Sequence, residues 1–482
     1  MNRILARSLV FLTSAGVLVI EILAARLLAP YLGVSLEVFT GIIGVILAGI
    51  SIGAWLGGRL ADRSSPRTLL GPLLIGGGLT TLASPLIIDT VGPALSIGAF
   101  DIVFASVAGF FAPAALLTAV NPVVVKIQLD SLERTGRVVG SYSAIGTAGA
   151  IVGTFATGFV LIAAFPTRPI VVALGVVFTV LGVALSATRR TWASMWLVVA
   201  GLLSLGLWAW DGPCQFETTY HCAVVEVDPE RPEGRVLLLD RLRNSYVDLA
   251  DPTHLEFRYV RLIADVIATA AEPGPLHVVS IGGGGFTVPR YIEHTRPGSR
   301  NTVLEIDAEL IDIGHERLDL SDTIDVVVDD ARISLNRVAK GSADVVVGDA
   351  YSGASVPWHL TTLEYNRQIE AVLTGDGLYI MNVIDYGELA FLRAETATLI
   401  EVYDEVALFA PPEYLTGESG GNFILVSSRD PVDLAAVESR IRGRGGTEIG
   451  ISGERLDRFV SGAPVLTDDY APVDQMLGRA GL

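Results

Sequence analysis

The chain has 482 residues, of which 51% are hydrophobic, and a formal net charge of −18 at pH 7. So much apolar sequence excludes an ordinary soluble enzyme, and the excess lies before about residue 210, which predicts an N-terminal membrane domain. The acidic balance argues against a nucleic-acid partner. We therefore expect a membrane domain over 1–210, a β-rich lid and linker over 211–275 and an α/β domain over 276–482.

Apolar stretches near bilayer length predict about seven transmembrane helices in the lipid bilayer. They lie at 8–29, 37–57, 69–90, 95–120, 139–163, 168–187 and 192–210. The first stretch has no clear small-residue cleavage site before further spans follow, so we expect it to remain as a helix rather than a removed signal.

Basic residues are concentrated in alternate loops, which predicts a multi-pass protein of the cell membrane with a cytoplasmic N-terminus. These residues are Arg59, Arg63, Arg67, Lys126, Arg134, Arg137, Arg189 and Arg190. Seven spans then place the C-terminal domain outside the cytoplasm. Nucleoside cosubstrates are made in the cytosol, however, so the alternative is that one of the seven stretches is re-entrant or interfacial.

The two cysteines of the chain, Cys214 and Cys222, flank a short segment after the last apolar stretch. An oxidising compartment would allow them to form a disulfide, which agrees with the outward orientation. The alternative is two free thiols that lie close together, because spacing alone does not show whether the Cβ atoms meet.

Three features of the membrane part have structural explanations. Gly149 and Gly153 have the small-xxx-small spacing that allows close helix crossing. Glu21 and Arg26, in or near the first span, favour structural pairing over a transport role. The segment GGRLADR at 57–63 resembles the loop motif of major-facilitator transporters and supports a cytoplasmic loop.

Beyond residue 210 the sequence alternates between strand and helix patterns. Strands are predicted at 220–227, 235–240, 277–281, 301–305, 324–328, 343–348 and 377–383, with edge strands at 404–409 and 422–427. Helices are predicted at 252–271, 286–294, 308–317, 331–338, 362–373 and 431–442. The order predicts a Rossmann-like, doubly wound α/β domain with a mostly parallel sheet, preceded by a small β-rich lid.

The segment 276–307 has the pattern of a nucleoside-binding half-site. An apolar strand ends in Gly282, Gly283, Gly284 and Gly285, and the next strand ends in Glu305 and Asp307. Glycines allow a sharp turn and close approach of a ligand to helix-opening amides, while an acid after the second strand can accept both ribose hydroxyls. A purely structural tight turn is the alternative.

Two further strands end in acids, Asp330 after the strand at 324–328 and Asp349 after the strand at 343–348. Open α/β sheets bind ligands beyond the carboxyl ends of their strands. Asp330 would then accept from an adenine amino group, and Asp349 would face the reacting centre. Taken singly, each acid is equally well explained as a solvated loop residue.

These residues belong to longer blocks that resemble a known family, the fused membrane proteins that carry a spermidine-synthase-like domain behind transporter-like helices. The blocks are EILAARLLAPYLG at 21–33, GTAGAIVGT at 146–154, SIGGGG at 280–285, LEID at 304–307, DDAR at 329–332, GDAYSGASVPWHLTTLEY at 348–365 and LTDDYAPVDQML at 466–477. They extend over nearly the whole chain.

The resemblance implies an aminopropyltransferase that binds decarboxylated S-adenosylmethionine, with Asp349 as the catalytic aspartate. The glycine run, Glu305, Asp307, Asp330 and Ala331 would bind this cosubstrate. Asn244, Tyr259 and Ser352 would bind a small amine such as putrescine. No permanently bound cofactor is implied, and a homo-dimer is possible.

The chain also departs from the soluble synthases of this family. Their glycine run ends in an aspartate where this chain has Gly285, and their catalytic loop has a second acid where this chain has Ser352. In the lid segment 237–262, Arg261 replaces an acid. Each change removes negative charge where a polyamine would bind, so putrescine is not assumed as the substrate.

Two other functions stay open from sequence. One is an S-adenosylmethionine-dependent methyltransferase that uses the same glycine turn and acids. The other is a membrane transporter or sensor whose C-terminal domain binds a nucleoside or polyamine without turnover. His254 and His359 lack metal-ligand spacing, so we predict no metal site.

Overall fold

The computed structural model describes residues 1–95, 98–129, 135–186, 212–353 and 355–478. They form two compact units, Met1–Cys222 and Ala223–Leu482. The seventh apolar stretch, predicted at 192–210, lies outside the described residues. The domain boundaries expected at 210 and 275 stay predictions.

Six helices in the described part of the first unit are long and apolar enough to cross a bilayer. They are Arg3–Leu32, Leu36–Arg63, Pro66–Ala94, Ala99–Gln128, Thr135–Ala164 and Thr167–Ser186. They correspond to the first six predicted stretches, and they are compatible with a multi-pass membrane protein. Which end of the helices faces the cytoplasm stays a prediction.

Glycines allow the first and fifth of these helices to pack closely. A Cβ atom on Gly149 would collide with the carbonyl oxygen of Phe11, and one on Gly153 would lie 2.5 Å from the carbonyl oxygen of Ala15. The two glycines are one helical turn apart and face the same neighbour. The small-xxx-small spacing therefore marks a helix contact, as expected.

Ion pairs lie at the two ends of this helical unit. At the end where the chain begins, Lys126 Nζ lies 2.8 Å from Asp62, and the Gln128 side chain donates to the Met1 carbonyl at 3.2 Å. At the opposite end, Arg168 donates to Asp89 at 2.9 Å. Tyr31, near the end of the first helix, donates to the same carboxylate at 2.9 Å.

The expected pairing of Glu21 with Arg26 is wrong, because Arg26 forms its ion pair with Glu217 at 3.2 Å. Positions five apart on a helix point in different directions, whereas positions three or four apart are neighbours. Arg26 also donates to the carbonyl oxygens of Thr218 and Thr219, at 2.5 and 2.6 Å. This arginine therefore holds the segment 217–219 at the helix end.

That segment is closed by a disulfide between Cys214 and Cys222, with a Cα–Cα distance of 5.0 Å. The short strand β1, Phe216–Glu217, lies inside the closed loop. Glu217 also accepts from the Thr167 backbone amide at 2.9 Å. The prediction of a disulfide is confirmed, and the loop is bound to the helix end through Arg26 and Thr167.

A small antiparallel sheet begins the second unit, where a β-rich segment was expected. β2 (Cys222–Val227) pairs with β3 (Gly234–Leu239), which pairs with β4 (Leu242–Asp248). β4 was not predicted, because its sequence LRNSYVD has no alternation of apolar and polar residues. That the sheet acts as a lid stays a prediction.

The main sheet has eight strands in the order β12-β10-β11-β9-β8-β5-β6-β7. They are β5 His277–Ile281, β6 Arg300–Glu305, β7 Asp325–Val328, β8 Ala343–Gly348, β9 Leu373–Asp385, β10 Glu405–Ala410, β11 Gly421–Ser428 and β12 Ile449–Ser452. Neighbours from β9 through β8, β5 and β6 to β7 are parallel, and the other three pairs are antiparallel. This is the predicted doubly wound α/β fold.

Helices cover both faces of the sheet. The longer ones are Arg258–Ala270, Thr287–Thr295, Ala308–Arg317, Leu363–Val372, Ala390–Ile400, Leu434–Gly443 and Glu454–Val460. Alternate strand residues enter different core layers: Val278 packs with the helix Arg258–Ala270, whereas Val279 packs in the layer that includes Phe391. Such two-sided burial explains why these strands are continuous apolar runs.

The prediction that the runs at 404–409 and 422–427 are edge strands is wrong. β11 lies between β9 and β10, and β10 lies between β11 and β12. The edge on that side of the sheet is the four-residue strand β12, which was not predicted from the sequence. Covering β10 on both sides satisfies its backbone groups and allows the apolar run that follows Glu405.

Candidate functional site

The glycine turn connects β5 to the helix Thr287–Thr295. Gly282 and Gly284 have positive φ angles of 88° and 50°. A Cβ atom on Gly282 would lie 2.7 Å from the carbonyl oxygen of Asp349, so the backbone after β5 touches the backbone after β8. This contact needs glycine, and it brings the predicted cosubstrate turn beside the predicted catalytic residue.

Glu305 is buried at the end of β6, and backbone amides hold its carboxylate. One oxygen accepts from Gly283 N at 2.7 Å and the other from Asp307 N at 2.9 Å. Each carboxylate oxygen has a second lone pair, so these bonds orient the group without using its full capacity. The acid predicted for the ribose is therefore bonded to the glycine turn itself.

Asp307 is fully buried, and its carboxylate caps the helix Ala308–Arg317. It accepts from Glu309 N at 3.2 Å. An N-cap bond of this kind satisfies one of the free amides at a helix start. The structure thus gives Asp307 a structural contact, and its predicted contact with the cosubstrate stays a prediction.

Asp330 follows β7 and caps the short helix that begins at the buried Ala331. One carboxylate oxygen accepts from Arg332 N at 2.9 Å, and the other lies 2.9 Å from His359 Nε2. This position of His359 was not predicted, because the two residues belong to separate segments of the sequence. Asp330 lies at the same carboxyl edge of the sheet as Glu305.

The C-terminal block LTDDYAPVDQML is bonded to the DDAR block. Arg332 makes two hydrogen bonds with the Asp468 carboxylate, both at 2.7 Å. This arginine lowers the pKa of Asp468 below its usual value. Thr362 also donates to Asp468 at 2.7 Å. The C-terminal block therefore stabilises the loop that contains Asp330.

Asp349 lies at the end of β8, where two neutral side chains hold its carboxylate. Asn382 donates to one oxygen at 2.8 Å, and the Tyr259 hydroxyl donates to the other at 3.1 Å. Burial raises the pKa of Asp349 to about 6, and these two hydrogen bonds partly oppose the shift. The predicted amine-site residue Tyr259 is thus in direct contact with the predicted catalytic residue.

A second layer of polar groups positions Asn382. Asn422 donates to the Asn382 side-chain oxygen at 3.0 Å, and the Tyr351 hydroxyl donates to the Asn382 carbonyl at 2.7 Å. These residues were not predicted from the sequence. The signal was present, since Asn382 interrupts the apolar run of β9 and a buried amide requires hydrogen-bond partners.

Asn244 and Ser245 of β4 contact the end of the glycine turn. Ser245 Oγ accepts from Gly285 N at 2.9 Å and donates to the Asn244 side-chain oxygen at 2.7 Å. A Cβ atom on Gly285 would lie 2.7 Å from the Ser245 Cβ. The space that an acidic side chain at 285 would need is therefore taken by a neutral hydroxyl.

Ser352 lies three residues beyond Asp349, in a tight turn. Its backbone amide donates to the Ser355 carbonyl at 2.8 Å, and Gly353 has a positive φ angle of 65°. A role for its side chain in amine binding stays a prediction. Among the described residues, no group of three or more His, Cys, Asp or Glu side chains is placed to hold a metal ion.

Comparisons with known proteins give the class of the second unit. No family model matches the chain. A polyamine aminopropyltransferase of Vibrio vulnificus is 30% identical over 185 residues, which cover 38% of this chain and 59% of that protein. Polyamine aminopropyltransferase 1 of Aquifex aeolicus is 26% identical over 222 residues, covering 44% and 76%. The chain thus spans less than two thirds of the Vibrio relative.

A solved structure extends this similarity to the fold. The crystal structure of a probable spermidine synthase from Corynebacterium glutamicum matches with a TM-score of 0.50 and 29% identity, covering 55% of this chain and 99% of that one. The second unit therefore has a spermidine-synthase-like fold behind a set of apolar helices. The resemblance inferred from the sequence blocks is confirmed.

Proposed function

We propose that the second unit transfers an aminopropyl group from decarboxylated S-adenosylmethionine to an amine, in a protein bound to the membrane by its helices. The observation that carries this proposal is the arrangement around Asp349. A partly buried carboxylate, bonded to Tyr259 and Asn382, lies against the glycine turn that also holds Glu305. The relatives, which are named as aminopropyltransferases, support the same class of reaction.

The nucleoside would occupy the carboxyl edge of the parallel strands. Glu305 would accept from the ribose hydroxyls, and the glycine turn leaves room for the ligand to approach the backbone. Asp330 would accept a hydrogen bond from the adenine amino group. In the structure this carboxylate is bonded to His359 instead. Each of these groups follows a different parallel strand, as ligand-binding groups in open α/β sheets commonly do.

The reaction requires a neutral amine and a correctly placed carbon. The amine nitrogen forms a bond to the aminopropyl carbon next to the sulfonium, and the carbon–sulfur bond breaks with its electron pair going to sulfur. The products are neutral methylthioadenosine and a secondary amine carrying an extra proton, which Asp349 accepts. Positioning of the two reactants supplies much of the rate increase in such displacements.

The environment of Asp349 is suited to this proton transfer. With a pKa of about 6, the carboxylate is ionised at neutral pH, and its pKa lies closer to neutral pH than that of an exposed aspartate. A base whose pKa lies near the working pH combines the correct protonation state with a useful driving force. Tyr259 and Asn382 fix both oxygens, so the carboxylate keeps one orientation.

The test is product analysis by mass spectrometry with the detergent-purified full-length protein. Incubation with decarboxylated S-adenosylmethionine and a panel of amines is expected to release methylthioadenosine. Asp349→Asn is expected to lower the rate by about 100-fold to 10,000-fold. Asp376→Asn changes an exposed acid of the same sheet and serves as the matched control, with unchanged activity expected.

Other outcomes would identify the alternatives. Methylation of an acceptor from S-adenosylmethionine, with no reaction of the decarboxylated compound, would replace the proposal with a methyltransferase. Binding of the nucleoside by both the native protein and Asp349→Asn, with no product from either, would favour the transporter or sensor.

A further inference from the structure

The described side chains that bond to Asp349, directly or through Asn382, are polar but neutral. The side chains that the structure places on its carboxylate or on the neighbouring Asn382 are Tyr259, Tyr351 and Asn422. Each offers a hydroxyl or an amide, and none has a charge at neutral pH. An amine bound at Asp349 would therefore have its remaining atoms among uncharged groups.

Other carboxylates of this sheet edge are already bonded to backbone amides. Glu305 accepts from Gly283 and Asp307. Asp385, at the end of β9, is fully buried and accepts from the amides of Tyr386, Leu392 and Gly478 at 2.8 to 2.9 Å. Glu305 keeps free lone pairs, but in the proposed complex they would accept from the ribose hydroxyls. Asp385 is fully buried and is not accessible to a second ammonium group.

The electrostatic environment agrees with this description. Burial is the cause that raises the pKa of Asp349, and the opposing contributions come from the neutral donors Asn382 and Tyr259. A second carboxylate close by would raise it further by repulsion. Burial raises the pKa values of Tyr259 and Tyr351, and the negative charge of Asp349 raises them further.

A positive charge, that of Arg243, lies next to the aromatic rings that adjoin Asp349. The Tyr259 ring stacks on Phe257 with 6.0 Å between centroids, and the Arg243 guanidinium lies 5.6 Å from the Phe257 centroid. Asp228, which lies within range of Arg243, accepts from the Tyr246 hydroxyl at 2.8 Å. Aromatic ring faces attract cations, so the rings alone would not exclude a cationic end, but Arg243 would repel one that extended past Tyr259 and Phe257.

We propose that the acceptor is a primary amine whose remaining part carries no second positive charge, such as an amino alcohol or an alkylamine. This inference rests on the proposed aminopropyl transfer. A diamine would leave its distal ammonium without a counter-charge in a partly buried site, which is costly. A hydroxyl end can exchange hydrogen bonds with Tyr351 or Asn422, and a methyl end can pack on the rings.

The direct test compares acceptors of equal length that differ in one group. Putrescine, 4-amino-1-butanol and butylamine are each given to the full-length protein with decarboxylated S-adenosylmethionine, and kcat/KM is measured from methylthioadenosine release. We expect 4-amino-1-butanol to exceed putrescine by at least about tenfold. A kcat/KM for putrescine equal to or above that of 4-amino-1-butanol would overturn the inference while leaving the transferase function intact. No product from any amine would overturn the proposed function and this inference with it.

Adding a carboxylate provides a second test. Asn422→Asp places a negative charge beside Asn382, and Ser352→Asp places one three residues beyond Asp349. Each is expected to shift the putrescine to 4-amino-1-butanol ratio toward putrescine by about tenfold. Asn336→Asp makes the same chemical change on an exposed side chain and should leave the ratio unchanged. An unchanged ratio in both site variants, with retained activity, would contradict the neutral-site assignment.

Discussion

The two units of the molecule hold their carboxylates in different ways. In the helical unit, Asp89 and Glu217 are paired with the guanidinium groups of Arg168 and Arg26 at one helix end. In the α/β unit, Glu305 and Asp349 are held by backbone amides and neutral side chains. Acids of the first kind have their charge already compensated, whereas acids of the second kind keep a negative charge that a ligand can compensate.

This difference excludes the ion-paired acids as candidate site acids without reference to relatives. An ion pair fixes two side chains and leaves little reason for a third charged group to bind. A carboxylate that is oriented by neutral donors remains an acceptor for a hydroxyl or an ammonium group. By this criterion Glu305 and Asp349 are the strongest candidates, and Asp468, paired with Arg332, is structural.

The largest expected effect is on the pH dependence of transfer. Burial raises the pKa of Asp349 to about 6, so its carboxylate is ionised above that pH and protonated below it. Between pH 6 and pH 4 we expect the rate to fall by about a further 50-fold beyond the fall caused by protonation of the amine. A pH–rate profile at saturating decarboxylated S-adenosylmethionine measures this.

The slope of that profile distinguishes the two protonations. Protonation of the amine alone gives a slope of one in log rate against pH throughout the acidic range, and Asp349 adds a second unit below its pKa. A slope that stays at one down to pH 4 would show that the ionised form of Asp349 is not required.

The next effect is on nucleoside affinity. Glu305→Gln keeps the size of the side chain but replaces one accepting oxygen with an amide donor, which would face either Gly283 N or Asp307 N. We expect affinity for methylthioadenosine, measured by isothermal titration calorimetry, to fall by about tenfold. Glu217→Gln is the matched control, because it changes an ion-paired acid of the helical unit and should lower thermal stability without changing this affinity. Equal loss of affinity in both variants would remove the distinction between the two kinds of acid.

The sequence predicted the parts of the fold that local patterns encode. β5 and β8 were predicted at their observed bounds, because each is a short apolar run followed by glycine or an acid. β4 and β12 were missed, since one is polar and the other has four residues. The order β12-β10-β11-β9 depends on pairing between distant segments, which hydrophobic periodicity does not report.

The candidate site was predicted where each group follows its own strand. Gly282, Glu305 and Asp349 were found in this way. The contacts of Asp349 with Asn382 and of Asp330 with His359 join residues 33 and 29 positions apart, and the bond of Arg332 to Asp468 spans 136 positions. Such partners are determined by the tertiary fold, so the sequence predicted one residue of each contact but not its partner.

The smallest expected effect is on the free energy of unfolding. It tests whether burial of the ionised Asp349 carboxylate destabilises the folded protein. Its pKa in the folded protein is about 6 against a usual value of 3.8, so the folded state disfavours the ionised form. Folding stability contributed by this group is therefore lost as pH rises from about 4 to about 6, and the deficit persists above that range.

Asp349→Asn removes the charge while keeping a similar shape, and we expect it to raise the unfolding free energy at pH 8 by about 1 kcal/mol, after allowance for partial solvent screening. Thermal unfolding of the native protein and the variant in the same detergent should show a higher midpoint for the variant at pH 8 and no difference at pH 4. A variant less stable than the native protein at pH 8 would mean that the hydrogen bonds from Tyr259 and Asn382 outweigh the cost of burying the charge, and Asp349 would then resemble the compensated acids of the helical unit.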